Sequence, residues 1–333
     1  MATIKDVARE AGVSVATVSR VVNQSPKASQ SSITAVKAAM QKLGYRPNAA
    51  ARALVSQSTN IIGVLVNDVS DPFFGSLVKA VDNVAHENGK QVLIGNGYHH
   101  AEQERKAMEL LINSRCDALV IHAKALPDEE LISYAREVKS MVLINRYIPE
   151  IADRCISLDN FKGAYLATEY LIKNGHQKIA CISSSHPIED TDQRISGYKS
   201  ALHDYGISLP ASYIEQAEPS TSGGEIATTN LLLKSLDITA IVAYNDNMAA
   251  GAIFVLQENG LALPDQISLI GFDDALISRY VSPKLTTVLY PIQQMGEQAA
   301  QLALNLAKGL PSELQPLRFS PTLVRRESVK KQS

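Results

Sequence analysis

Two hydrophobic periods divide this chain. Residues 3–23 read TIKDVAREAGVSVATVSRVVN, in which Ile4, Val7, Ala8 and Ala11 recur at i, i+3, i+4 and i+7. That spacing predicts an amphipathic helix of about two turns, which Gly12 stops in the left-handed conformation. Thr3 and Asp6 stand three apart and can cap each other reciprocally at its start. Ser14 opens a second helix with an apolar stripe of Val18, Val21 and Val22, leaving Val15, Ala16, Ser19 and Arg20 facing away. Ile33, Val36, Met40 and Leu43 repeat at helical spacing with Gly44 as the stop, so a third helix from about Ser31 to Leu43 closes a small three-helix core. Two short helices joined by a glycine turn, the second with a small, polar and basic outer face, match the helix-turn-helix pattern that lays its second helix in the DNA major groove.

From Ile61 onward the pattern changes to short continuous apolar runs: IIGVLV (61–66), QVLIG (91–95), ALVIH (118–122), MVLIN (141–145), CISLD (155–159), IACIS (179–183), AIVAY (240–244) and ISLIGFD (267–273). Amphipathic stretches separate them, predicting helices near 75–88, 102–114, 163–174, 192–205, 223–235, 247–259 and 292–307. Apolar strands alternating with helices mean parallel sheets covered on both faces, and there are enough strands for two. Ser70-Asp71-Pro72 supplies a cap and a first-turn proline ahead of the first of these helices.

Charge sharpens the division. Through Asn60 there are eight Lys and Arg against Asp6 and Glu10, a net of +6, whereas the 333-residue chain stands at −2 and its remainder therefore at −8. The positive charge lies where phosphates would be met. An apolar fraction of 45% with 20% charged residues is that of a soluble globular protein. No leading secretion segment and no long uninterrupted apolar run is present, so a cytoplasmic protein without a membrane partner is expected. Cys116, Cys155 and Cys181 are odd in number and sit in or beside apolar runs, which points to buried free thiols rather than disulfides or metal ligands.

Between the two regions lies YRPNAAARAL (45–54), where Pro47 interrupts helix and Asn48 can cap a new, marginal one. TIKDVAREAGVSVATVSRVVN followed by YRPNAAARAL resembles the DNA-binding headpiece and hinge helix of the LacI family of bacterial transcription regulators. The resemblance implies that the hinge helices of two subunits pair in the minor groove, with Leu54 as an apolar wedge and Ala51 beside it. By position it also puts Val15, Ala16 and Arg20 on base edges. Arg20 can donate twice to a guanine, while Val15 and Ala16 offer apolar contact to thymine methyls. Thr3, Ser14, Thr17, Ser19 and Asn23 are left for phosphates or caps.

Polar residues follow many of the strands: Asn67, Asn96, Asn145, Arg146, Asp159, Asn245 and Asp273 among them. In open parallel sheets ligands bind off the carboxyl ends of the strands, so such residues would converge on one crevice. Amides, carboxylates, arginine and nearby aromatics, without a phosphate-binding glycine cluster, suit a neutral polyhydroxylated molecule. SDPFFG, VLINR, AYNDNMAAGA, SLIGFDD, KLTTV and SPTLVRR extend the resemblance over nearly the whole chain, toward the galactose-responsive members of the family.

It implies a fold with an N-terminal all-α helix-turn-helix headpiece (1–45) and a hinge helix and linker (46–59). An α/β periplasmic-binding-protein-like core of two doubly wound parallel-sheet subdomains follows, at 60–158 plus 290–318 and at 159–289 plus 319–329. It implies contacts to an effector, expected to be D-galactose, from Asn67, Phe74, Asn145, Arg146, Arg194, Asn245, Asp273 and Tyr290. No cofactor is expected. The expected partners are a pseudo-palindromic double-stranded operator and a second copy of the chain, since no leucine-heptad segment follows SPTLVRRESVKKQS.

Two rival classes lack the sequence features they need. Enzymatic activity would need a motif, and GxxxxGK[ST], GxSxG, HExxH and a GxGxxG after the first strand are all missing; the adjacent pair His99-His100 does not share a face. A transport binding protein would fit the large domain alone, but it needs a secretion signal and has no use for a basic helix-turn-helix.

Overall fold

The computed structural model describes residues 2–23, 25–46, 58–310 and 317–332. The chain forms two compact units, Met1–Ile61 with Arg115–Asp117 and Ile62–Ser114 with Ala118–Ser333.

The first unit carries α1 (Ile4–Ala11), α2 (Val15–Val22) and α3 (Gln30–Lys42), with Val7, Ala8, Val18, Val21, Val36 and Ala39 as their common core. Val7, Val18 and Val36 are fully buried, each worth about 1.5–3 kcal/mol of transfer free energy. The helix ends are closed locally. Thr3 N donates to Asp6 Oδ2 at 2.9 Å while Asp6 N donates to Thr3 Oγ1 at 3.4 Å, a reciprocal cap. Gly12 ends α1 at φ +65°, a conformation in which a side chain is penalised. Ser14 caps α2 by accepting from Thr17 N at 3.1 Å. The expected third helix is offset by one residue at each end, as Ser29 takes the cap and Leu43 the terminus. Ala51 and Leu54, with most of the expected hinge segment, lie outside the described residues.

The second unit contains two six-stranded sheets. The first is built from β1 (Ile61–Val66), β2 (Gln91–Asn96), β3 (Ala118–Ile121), β4 (Met141–Ile144), β5 (Cys155–Leu158) and the late strand β11 (Arg318–Phe319), in the order β11-β5-β4-β3-β1-β2. The second uses β6 (Ile179–Ser184), β7 (Ile214–Ala217), β8 (Ala240–Ala243), β9 (Ser268–Asp273), β10 (Thr286–Leu289) and β12 (Thr322–Val324), in the order β12-β10-β9-β8-β6-β7. Their helices are α4 (Pro72–Glu87), α5 (Ala101–Asn113), α6 (Asp128–Glu137), α7 (Asn160–Lys173), α8 (Glu189–Asp204), α9 (Thr221–Leu233), α10 (Asp246–Glu258) and α11 (Ile292–Ala307). Both sheets reverse strand order next to their first strand, at β1/β3 and at β6/β8, the position where doubly wound folds open a ligand crevice.

Three features depart from the sequence expectation. Helix α6 was not anticipated: Leu131 and Ala135 are its only buried positions, too few to print a strong periodicity. Strands β7, β10 and β11 lack the long apolar run that marks a central strand. β7 and β11 lie at sheet edges, while β10 has Thr286, Thr287 and Val288 buried beside β9. The last strand is short and pairs antiparallel with β10, so the second sheet is not purely parallel.

Candidate functional site

On the headpiece, the face of α2 opposite its buried stripe is free: Val15 is 41% exposed, and Ala16 and Arg20 are exposed too. Thr17 and Ser19 are half-buried; the Ser14 hydroxyl meets that of Thr17 at 2.9 Å, and Asn23 Nδ2 donates to Ser19 Oγ at 3.4 Å. Thr3 and Ser14 are spent on caps. This leaves Arg20 as the polar group of α2 able to reach outward without breaking a cap.

In the core, strand ends and helix starts converge on a cleft between the two sheets, with about 560 Å³ of non-atom space including its mouth. Asn67, Phe74, Asn145, Arg194, Asn245, Asp273 and Tyr290 all line it, together with Asp71, Phe73, His99, His122, His186, Asp190 and Tyr244. Arg146 does not: its guanidinium pairs with Asp128 at 2.6 Å, donates to Ala123 O at 3.0 Å, and lines a neighbouring cavity with Tyr147, Gln193 and Arg318.

Arg194 is the cleft's most constrained cation. It projects from the second turn of α8, four residues after Asp190 and so on the same face. Its guanidinium lies over the Phe272 ring at 3.7 Å and the Tyr244 ring at 4.4 Å, donates from Nε to Asn160 Oδ1 at 2.9 Å, and bonds Tyr244 O. The Asp273 carboxylate approaches it at 3.9 Å. That separation is long for an ion pair, and burial pushes the Asp273 carboxyl well above the usual range despite Arg194. Asp273 ends β9 at φ +112° and Asn145 follows β4 at φ +58°, backbone shapes that cost energy and cluster at functional sites.

A second charged group bridges the sheets. Lys124, in the loop after β3, donates to Asp190 Oδ1 at 2.7 Å and to Asn145 O, while Asn145 Nδ2 donates to Asp190 Oδ2 at 2.7 Å. Burial raises the Asp190 carboxyl, but the charges of Lys124 and Arg194 and these hydrogen bonds bring it below its ordinary value. Glu104, itself buried, fixes the loop by accepting from the backbone N–H groups of Lys124, Ala125 and Leu126.

Several expected residues also have structural work. Asn245 caps α10 through Met248 N at 2.8 Å and donates to Pro219 O at 2.9 Å, and Asp71 caps α4 through Phe73 N. The aromatics divide: Phe73, Phe74, Tyr244 and Tyr290 face the cleft, Phe272 lies under Arg194, and Tyr98 and Tyr147 are more than half exposed. Among the described residues, eight buried side-chain polar atoms lack a hydrogen-bond partner. Five of them, Asn67 Oδ1, the Nδ1 atoms of His99, His122 and His186, and the Tyr290 hydroxyl, belong to this cleft. Unpaired buried polar atoms are costly, so their concentration here marks a surface shaped for a polar ligand.

Lys124, Asp190 and the three histidines were not singled out as ligand-binding from the sequence. One cue was present: a lone lysine and a histidine within the apolar run ALVIHAKAL. The three cysteines are free, Cys155 and Cys181 buried and Cys116 half-buried.

Comparison with known proteins finds matches to both parts of the chain. Residues 3–48 match the model of bacterial regulatory proteins of the lacI family, and residues 59–313 match periplasmic binding proteins and the sugar binding domain of the LacI family. The chain is 56% identical over 329 residues to the HTH-type transcriptional regulator GalR of Escherichia coli K12, covering 99% of this chain and 96% of that one. It is 54% identical over 329 residues to GalS of Salmonella typhimurium LT2, covering 99% and 97%. The lac repressor dimer bound to operator and an anti-inducer superposes with a TM-score of 0.84 at 28% identity, covering 99% of both chains. These relatives are regulators, not enzymes, and the chain belongs to the LacI family of bacterial regulatory proteins.

Proposed function

We propose that this chain is a homodimeric transcriptional repressor that binds a pseudo-palindromic operator and is released by D-galactose held between its core subdomains. The observation that carries the reading is the cleft itself: a stacked arginine, a raised carboxyl, amides and five unmet polar atoms face one another beneath aromatic rings. Hydroxyls satisfy such a mixed donor and acceptor lining, and an aromatic face covers the C–H side of a sugar ring. Asn67, Phe74, Asn145, Arg194, Asn245, Asp273 and Tyr290 hold the sugar, and Arg146 acts from the adjoining cavity.

Two headpieces read half-sites through Val15, Ala16 and Arg20; Thr17, Ser19 and Asn23 fix the register on phosphates, and Thr3 and Ser14 hold the caps that orient the two helices. Ala51 and Leu54 enter the minor groove between them. The relatives named GalR and GalS support the choice of galactose and of genes for its use. The exposed apolar side chains of Ile226, Phe254, Leu276 and Tyr280 support pairing of two copies. The proposed division is 1–45, 46–59, 60–158 with 290–318, and 159–289 with 319–329, and the protein works in the cytoplasm beside the chromosome. Sugar binding stabilises a dimer of low operator affinity, and by linkage the operator-bound dimer binds sugar more weakly by the same factor.

The test is a titration of a labelled palindromic operator complex with D-galactose, D-glucose, D-ribose and a purine. Release by galactose alone supports the whole reading. Release by another compound reassigns the effector, and failure to bind the operator removes the repressor.

A further inference from the structure

Three imidazoles stand on the walls of the cleft, two from one sheet and one from the other. His99 follows β2 at φ +50°, His122 ends the apolar run of β3, and His186 follows β6. They touch in series. The His99 ring lies 6.0 Å from that of His122 and 5.0 Å from that of His186, both edge to face. His122 is only 3% exposed and packs against Phe74 at 4.9 Å. All three Nδ1 atoms are buried without a partner, although His186 Nε2 meets Glu218 at 2.9 Å.

Burial disfavours the charged form of two of these rings, His99 and His122. Burial, then the charge of Lys124, holds His122 well below the usual imidazole range. Burial, with His186 and Lys124, brings His99 down to about 4. A neutral imidazole offers one donor and one acceptor nitrogen, and a hydroxyl, being both, satisfies either tautomer. The other ionisable groups sharing the cleft are Asp71, Asp190 and Asp273 against Lys124 and Arg194; Lys124 pairs with Asp190, and Arg194 is held by Asn160, Tyr244 O and two rings, which leaves no free cation among the described residues there for a phosphate or carboxylate.

We propose that His99, His122 and His186 read the hydroxyls along one edge of the bound effector and so decide which neutral sugar the cleft accepts. This rests on the sugar-effector reading above. Because the rings belong to strand ends of both sheets, a sugar lodged among them links the two walls and gives each orphaned nitrogen the partner the protein withholds. The neighbouring pair Asn67 Oδ1 and Tyr290 hydroxyl completes the set of unmet groups. Histidine here selects by hydrogen bonding rather than by charge, so acidic and phosphorylated sugars are rejected.

The experiment is calorimetric binding of D-galactose, its 2-, 3-, 4- and 6-deoxy analogues, D-glucose, L-arabinose, D-ribose and galactose 6-phosphate to the full chain. It is run on wild type, His122→Leu, His122→Asn and His99→Leu, each first checked by thermal melting and operator binding. The expected result is that one deoxy analogue binds wild type about tenfold more weakly than its parent, and that His122→Leu binds parent and analogue alike, the signature of a lost pairwise contact. His122→Asn recovers part of the discrimination, and His99→Leu loses it at a different hydroxyl.

Variants that bind galactose as tightly as wild type, or that weaken every analogue by one common factor, overturn the proposal, since a merely structural histidine gives the second pattern. Tight binding of galactose 6-phosphate also overturns it. If galactose fails while another neutral sugar binds, only the choice of galactose falls and the same cycle is completed with that sugar. If the operator is bound and no neutral sugar binds at all, the effector reading and this proposal fall together.

Discussion

An ion pair in the headpiece and one in the core show how differently the two regions are held. Lys42 and Glu10 meet at 2.6 Å with side chains 68% and 35% exposed, whereas Lys124 and Asp190 meet at 2.7 Å with side chains 2% and 8% exposed. The distances are alike and the consequences are not. Water screens the first pair, so it contributes at most a fraction of a kcal/mol, while removing one member of the second strands a buried charge. The headpiece keeps its polar groups satisfied locally and presents a free face outward. The core gathers charges from distant strand ends and leaves several polar atoms unmet. A reading head has to be rigid and complete before it meets DNA, whereas a ligand cleft is completed by what it binds.

The comparison can be broken most forcefully at Lys124. Lys124→Met is expected to destabilise the core by about 3–5 kcal/mol in urea unfolding, with Asp190→Asn in the same chain restoring much of it, against less than about 1 kcal/mol for Lys42→Met. Equal effects from the two lysines would remove the contrast. Next in size is Arg194→Ala. Loss of a stacked, charge-assisted hydrogen-bonding group should weaken sugar binding by about 100-fold, roughly 3 kcal/mol, while operator affinity without sugar stays within twofold. Normal induction in that variant would take Arg194 out of the site.

Arg20→Ala provides the mirror image, with operator affinity down by about 1–3 kcal/mol, the cost concentrated at one base position, and sugar affinity unaltered. A uniform loss over all operator sequences would make Arg20 a phosphate contact instead.

The histidines provide a pH test. His99 sits at about 4 in the folded core and near 6.5 when unfolded, so the unfolded chain binds the extra proton between those values. The contribution of His99 to stability is therefore whole above pH 6.5 and lost progressively as pH falls toward 4. Comparing His99→Asn with wild type cancels opposing groups such as Asp246, whose buried carboxyl is raised to about 7. The variant should gain on wild type as pH drops below 6.5, and parallel curves would contradict the burial of that ring. The smallest effect belongs to Gly12→Ala. At φ +65° with open space around it, the added methyl meets no neighbour, and the cost is backbone strain alone, about 1 kcal/mol in headpiece melting.

Much of the headpiece was legible in the sequence because its determinants are near neighbours. Thr3 and Asp6, Gly12, Ser14 and the valine stripe act within one or two helical turns, and all take the positions their spacing predicts. Central strands were legible for a similar reason, since β1, β3, β4 and β8 are buried on both faces and so apolar throughout. Helix α6 and the edge strands β7 and β11 were not, because an element with one shallow buried face carries little pattern. In the cleft, Asn67, Arg194, Asn245 and Asp273 were traceable through motifs. Asp190 was hidden because nothing local distinguishes a carboxylate aimed into a cleft from one on the surface, and His122 and Lys124 left only the cue of polar residues inside an apolar run.

The sequence by itself determined the helix-turn-helix, the basic charge of the first sixty residues and the two-sheet α/β core, all consequences of periodicity, caps and composition over short spans. Only the tertiary structure decided that Lys124 spans to Asp190, that Phe272 and Tyr244 clasp Arg194, and that three histidines spread from His99 to His186 meet edge to face. Those contacts depend on strand order and on the turns that end each strand, and a side chain's burial, which sets its charge, exists only once the two sheets close around it.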